Sequence, residues 1–153
     1  MKVKTCLFSL AFLTLWTGAA AAQNVAAECP NLPQEAGDSL KWQVVQMPTS
    51  LLCRAMRTDD GQEAFALTIS TQVPFKLDNA MRAQEGTLEG QRMWWYRSEI
   101  AGRPNEQVRE TMVKLGANKV VHAFIRTDNV DTLNRYMQMV QGLRFNTALA
   151  GTP

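Results

Sequence analysis

Lys119-Val120-Val121-His122-Ala123-Phe124-Ile125-Arg126, followed after Thr127 by Asp128-Asn129-Val130-Asp131-Thr132-Leu133-Asn134-Arg135-Tyr136-Met137-Gln138-Met139-Val140-Gln141-Gly142, carries the fold class. The first half is a β-branched and apolar run bounded by charge, the composition of a strand. In the second half Leu133, Tyr136, Met137 and Val140 recur three and four residues apart, one apolar stripe of a helix over Asn129 to Gln141. Asp128 is placed to cap its start and Asp131 to favour its first turn. Gly142 suits a left-handed exit and Leu143 the apolar contact beyond it, leading into a short last strand Leu143-Arg144-Phe145.

Working back toward the amino terminus, the period of two returns repeatedly. Leu40–Met47 places Leu40, Trp42 and Val44 on one face, Pro48-Thr49-Ser50 turns the chain, and Leu51–Arg57 reads as a second strand. Asp59-Asp60-Gly61 marks a tight hairpin into Ala64–Ser70, with Phe65, Leu67 and Ile69 facing one way. Val73–Gln84 holds Pro74 and then Leu77, Ala80 and Met81 at the spacing of a short helix. Gly86 and Gly90 frame a turn region before Gln91–Ile100, a strand dense in aromatics. Glu106–Leu115 fits helix or strand by pattern, and the Gly116-Ala117-Asn118 turn that follows favours strand. Hairpin-connected strands ending in one amphipathic helix predict an α+β domain over residues 40–146: an antiparallel sheet with the C-terminal helix on one face and a second short helix.

A first apolar strand, the strand Ala64-Phe65-Ala66-Leu67-Thr68-Ile69, a hairpin ending Val120-Val121-His122-Ala123-Phe124-Ile125, an amphipathic helix and then Gly142-Leu143-Arg144-Phe145 follow an order that resembles the Mog1/PsbP-like family of small sandwiches. The resemblance covers about residues 40–146 and rests on element order and apolar pattern. It implies a fold used for protein binding, with no shared catalytic centre and no functional residues to carry over. In size, export and lack of catalytic motifs the chain is also similar in kind to periplasmic immunity proteins that guard against type VI secretion toxins.

The amino terminus has the pattern of a secretory signal peptide: Lys2 and Lys4, an apolar run from Cys6 to Trp16, and small residues Ala19 to Ala22 before Gln23. Cleavage after about Ala22 predicts an exported, periplasmic chain; residues 23–39 are an irregular lead-in and residues 147–153 a loose tail. Taking residues 1–22 off the 153 leaves 131, enough for one core. It also takes Lys2 and Lys4 from the 16 basic residues, leaving 14 against 14 acidic ones. A neutral balance argues against nucleic acid as partner, and no later apolar run is long enough to span a membrane. Ten arginines to four lysines in that part suit a carboxylate-rich partner, although a compositional habit explains the bias as well. Cys29 and Cys53 are an even pair in an oxidising compartment, so a disulfide is expected. It closes a loop of about 25 residues, contributing roughly 3–4 kcal/mol by loop-entropy reasoning. There is no Cys-x-x-Cys, which argues against a redox or metal role.

Catalytic constellations are missing from the pattern. None of Ser39, Ser50, Ser70 and Ser98 sits in Gly-x-Ser-x-Gly, and the single histidine, His122, is central to an apolar strand, where a structural role is the commoner one. Asp59-Asp60-Gly61-Gln62-Glu63 lacks the alternation of a calcium loop, and no zinc spacing occurs, so no metal or cofactor is expected. Carboxylate pairs such as Glu85/Glu89 or Glu99/Glu106 arise by chance among fourteen acids.

One local feature stands out: Met93-Trp94-Trp95-Tyr96-Arg97. Neighbours on a strand point to opposite faces, so Trp94 and Trp95 cannot fill the same one-sided core. With Trp94 and Tyr96 under the helix, Trp95 and Arg97 are left outside, and Trp and Arg are enriched among interface hot spots. A second covering helix is the plainer explanation. The expectation is a non-enzymatic domain that binds another protein, with Trp95 and Arg97 as anchors and Arg92 and Arg103 in support. An immunity protein against an envelope-acting toxin or hydrolase is its sharpest form. An envelope assembly or stress accessory protein and a small cell-wall hydrolase are the alternatives.

Overall fold

The computed structural model describes residues 28–146. The expected signal peptide (1–22), the first residues of the lead-in and the tail (147–153) lie outside the described residues. Seven strands follow one another: β1 Leu40–Gln46, β2 Ser50–Arg57, β3 Glu63–Ser70, β4 Arg82–Leu88, β5 Gln91–Ser98, β6 Gln107–Lys114 and β7 Val120–Thr127; α1, Val130–Gln141, comes last. They form one sheet in the order β1-β2-β3-β7-β6-β5-β4, every neighbouring pair antiparallel. Two meanders, β1 to β3 and β4 to β7, thus join along β3 and β7. The chain reaches the far edge between them through residues 71–81.

The antiparallel sheet with a C-terminal helix is the expected α+β architecture. Alternation explains the strands: in β2 and β3, Leu51, Cys53, Ala55, Phe65, Leu67 and Ile69 are buried while the residues between them are not. All four stripe residues of α1 are buried, which fixes the helix on that face. Phe65 links it to β1, with Trp42 edge-on at 5.7 Å and Tyr136 tilted at 6.3 Å between centroids. Cys29 and Cys53 are disulfide-bonded, and the indole Nε1 of Trp42 donates to the Pro30 carbonyl at 2.8 Å. The lead-in is therefore stapled to β1 and β2. Beyond the helix, Asn31 and Arg144 form an isolated bridge, so Leu143–Phe145 pairs at a single residue instead of forming a strand.

Four expectations are corrected at element ends and connections. The helix foreseen within Val73–Gln84 is a single 3-10 turn, Asn79–Met81, running into strand β4. Pairing with β5 claims the residues after Met81. The helix cap is Asn129, whose side chain accepts the Thr132 N–H at 2.9 Å, one residue beyond Asp128. Gly142 ends the helix in right-handed geometry, φ −81°. A side chain there would meet Pro33 at 3.1 Å, so closeness rather than backbone sign favours glycine. Gly86 lies inside β4, where a Cβ would meet both Gln141 and Met93 at 2.8 Å. The hairpin turn is Glu89-Gly90, both at positive φ.

Candidate functional site

The helix covers one face of the sheet, and among the described residues no helix covers the other. On the covered side β5 contributes Met93 and Trp95, β6 Thr111 and Val113, and β7 Val121, Ala123 and Ile125, all buried. Thr111, the buried polar residue there, donates its hydroxyl to the Trp94 carbonyl at 2.8 Å.

The opposite face presents the alternate residues. Register sets Arg54, Ala66, Phe124, Glu110, Tyr96 and Arg82 in one row across the sheet, with Leu52, Thr68, His122 and Met112 in the next. Leu52, Met112, Phe124, Trp94 and Tyr96 are all half-buried. Arg82 lies over the Trp94 ring, its guanidinium carbon 5.3 Å from the centroid. At the centre Glu110 is shared by two neighbours. Ser98 donates its hydroxyl to Oε1, and His122 Nε2 lies 2.9 Å from Oε2, with side chains of Glu110 and His122 only 14% and 16% exposed. Phe75, from the crossing segment, sets its ring edge-on to His122 at 5.0 Å while remaining 44% exposed.

The orientation expected for β5 is therefore inverted. Trp95 is 0% exposed, in the core on the side that α1 covers, while Trp94 and Tyr96 look out from the opposite face. Trp95 has no surface to offer a partner, and its indole Nε1 finds no acceptor among the described residues. Nor do the four expected contact residues converge. Arg97 shares the covered side with Trp95 but lies at its margin, exposed, directly opposite Arg109. Burial and then the Arg97 charge lower the pKa of Arg109, whose Nε donates to Gln84 Oε1 at 3.2 Å and Nη1 to the Val108 carbonyl at 2.8 Å. Arg92 is at the other end of β5, paired with Glu85 at 2.7 Å. Arg103 belongs to the hollow formed by Glu99–Pro104 and Glu106, tied to Glu106 at 2.8 Å.

The polar centre escaped the sequence because Ser98, Glu110 and His122 come from three strands and only register unites them. Their shared parity on the face of Trp94 and Tyr96 was the available signal. Chemically the arrangement differs from a nucleophile relay. In a relay the imidazole contacts the hydroxyl and the acid orients the imidazole; here the carboxylate stands between them, so His122 takes no proton from Ser98. Among the described residues, no group of three or more His, Cys, Asp or Glu could hold a metal ion, and no helix is long and apolar enough to cross a membrane. The Cys29–Cys53 disulfide is compatible with an oxidising location. Comparison of the chain with protein families, curated proteins and solved structures gives no match.

Proposed function

We propose that the chain is an exported binding domain that docks a protein partner on the helix-free face of its sheet, without chemistry of its own. The observation that carries this reading is the composition of that face. An antiparallel sheet facing water alternates apolar-in with polar-out. Here Trp94, Tyr96, Met112, Phe124 and Leu52 stand half-buried on the side away from α1. Aromatic and methionine side chains are those enriched at the cores of protein interfaces. Arg82 ends the central row at the β4 edge and supplies charge there, while toward β1 Arg54 is ion-paired with Glu63 and donates to Gln43.

The disulfide and the amino-terminal pattern support an address in the periplasm. In that compartment a small domain with a prepared protein-binding face is best read as an immunity or inhibitor protein for a toxin or hydrolase acting on the envelope. The test is a challenge experiment. Cells lacking the chain are exposed to kin, and survival is scored after return of the wild type, Trp94→Ala with Tyr96→Ala, or Val130→Ala as a surface control. The proposal expects rescue by the wild type and the control but not by the double variant. Full rescue by a stably folded double variant contradicts the assigned face, and no sensitivity on loss of the chain contradicts the immunity role and leaves envelope assembly as the binding function.

The His122–Glu110 pair favours one other reading, a cell-wall hydrolase in which a carboxylate-held imidazole acts as base. Release of wall fragments by the purified chain, abolished in His122→Ala, would establish it.

A further inference from the structure

The two edges of the sheet are finished differently. At the β4 edge, Gln141 reaches from α1 and accepts the Thr87 N–H at 3.0 Å, a register shift interrupts pairing between Arg82 and Gln84, and Arg82 and Glu85 add charge. Charge, irregularity and cover are the devices that keep an edge from pairing. From Trp42 to Gln46, β1 has no charge, no proline and no register shift.

Hydrogen-bond parity shows which groups β1 offers. The Met47 N–H donates to the Ser50 carbonyl at 2.9 Å and the Thr58 N–H to the Ser39 carbonyl at 3.0 Å. Within the same register Lys41, Gln43 and Val45 face β2, so Trp42, Val44 and Gln46 turn their N–H and C=O groups outward. Among the described residues those outward groups meet no further backbone partner. Val44 is 55% and Val45 42% exposed, on opposite faces at the same point of the edge. A strand laid there would cover both.

We infer that β1 pairs antiparallel with β1 of a second copy of this chain, about a two-fold axis at Val44. Val44 then exchanges both its bonds with its own counterpart, Trp42 pairs with the counterpart of Gln46, and Gln43 lies opposite that of Val45. A second copy suits this edge because the stretch is self-complementary. Lys41 falls opposite Met47, so no like charges meet, and the axis closes the interface at two chains. Sliding the pairing two residues further along sets Trp42 against Pro48, which has no N–H to give, so that register keeps fewer bonds than the one about Val44. The contact is a single strand, at the small end of protein interfaces, and the dimer dissociates on dilution.

The test is sedimentation of the processed chain over a range of concentrations, with amide hydrogen exchange at both ends of that range. A dimer should accumulate with concentration, and the Val44 and Gln46 amides should slow with it, while those of Gln43 and Val45 are slow throughout. Val44→Pro removes only an outward N–H and should weaken association by about tenfold or more; Val45→Lys provides the same test if the proline variant does not fold. Val130→Lys, at a site 56% exposed on the helix, should leave association unchanged. A chain that stays monomeric up to about 1 mM overturns the inference. A dimer indifferent to the β1 variants, or one whose outward amides still exchange fast, overturns it equally.

Discussion

Trp94 and Trp95 are chain neighbours with opposite surroundings. Trp95 is fully buried in the core on the face that α1 covers, with Met93 and Thr111 on the same face, whereas Trp94 is half-buried beside Tyr96 and lies under the Arg82 guanidinium on a face that no helix covers among the described residues. The covered side packs Phe65, Met93 and Trp95 together with small and branched residues into one core with the helix stripe. The other side combines large, partly exposed side chains with a polar centre at Glu110. One face carries the core, and the other leaves large side chains partly exposed.

The largest expected effect separates those roles. Trp95→Ala should destabilise the domain by about 3–5 kcal/mol in urea unfolding, the usual range for removing a large aromatic from a core. Trp94→Ala should cost under about 1.5 kcal/mol and act on partner binding instead. Equal losses would erase the distinction between the faces. Because the Trp95 indole N–H has no acceptor among the described residues, Trp95→Phe should cost far less than Trp95→Ala, and the same unfolding curves check it.

Next in size is the staple at the β1 end. Its cysteines are 24 residues apart, and replacing both with alanine should lower stability by about 2–4 kcal/mol. The release falls on the lead-in, so the bridge between Asn31 and Arg144 should lose amide protection before the central strands do.

The polar centre tests the open face more finely. Glu110→Gln keeps the shape but exchanges a carboxylate that accepts from Ser98 and meets His122 for an amide, and should cost about 1–3 kcal/mol. Thermal unfolding beside His122→Ala decides whether the two act as one unit. If they do, the double variant loses less than the separate losses added together.

The smallest effect lies at the β2–β3 hairpin, away from both faces. The Arg57 side chain donates to Asp59 and holds that carboxyl at about 2, below its ordinary 3.8. A depressed folded pKa means stability that is complete above the unfolded value and lost as pH falls from 3.8 toward about 2. Asp59→Asn should therefore flatten the acid limb of unfolding in that window and change little at neutral pH. This carboxylate is at the surface, so solvent screens the effect.

How much of this was legible follows from how each element declares itself. β2, β3 and α1 alternate or stripe because one side of each is buried, β7 declares itself as a β-branched apolar run, and the cysteine pair needed only an oxidising compartment. β5 was readable as a strand but not in its orientation. Met93 and Trp95 are as apolar as Trp94 and Tyr96, and hydropathy cannot rank two apolar faces. Arg97, two residues beyond Trp95, suggested an outward side, but it lies where the sheet runs past the cover of the helix. Ser98, on the face of Tyr96, was the better guide. β4 was missed because Arg82-Ala83-Gln84-Glu85-Gly86-Thr87-Leu88 buries little, as an edge strand does, and its state is set by pairing with β5. The Glu110 centre depends wholly on register, which no local pattern reports.

Partner docking on the face of Trp94 and Tyr96 can be read out with a photo-crosslinking residue at Tyr96 or at Val130, on the helix, in the full chain expressed in its own cells. Position 96 should give a discrete protein adduct that disappears with Trp94→Ala, and position 130 none. Adducts from the helix position alone, or from both positions alike, would place the partner elsewhere.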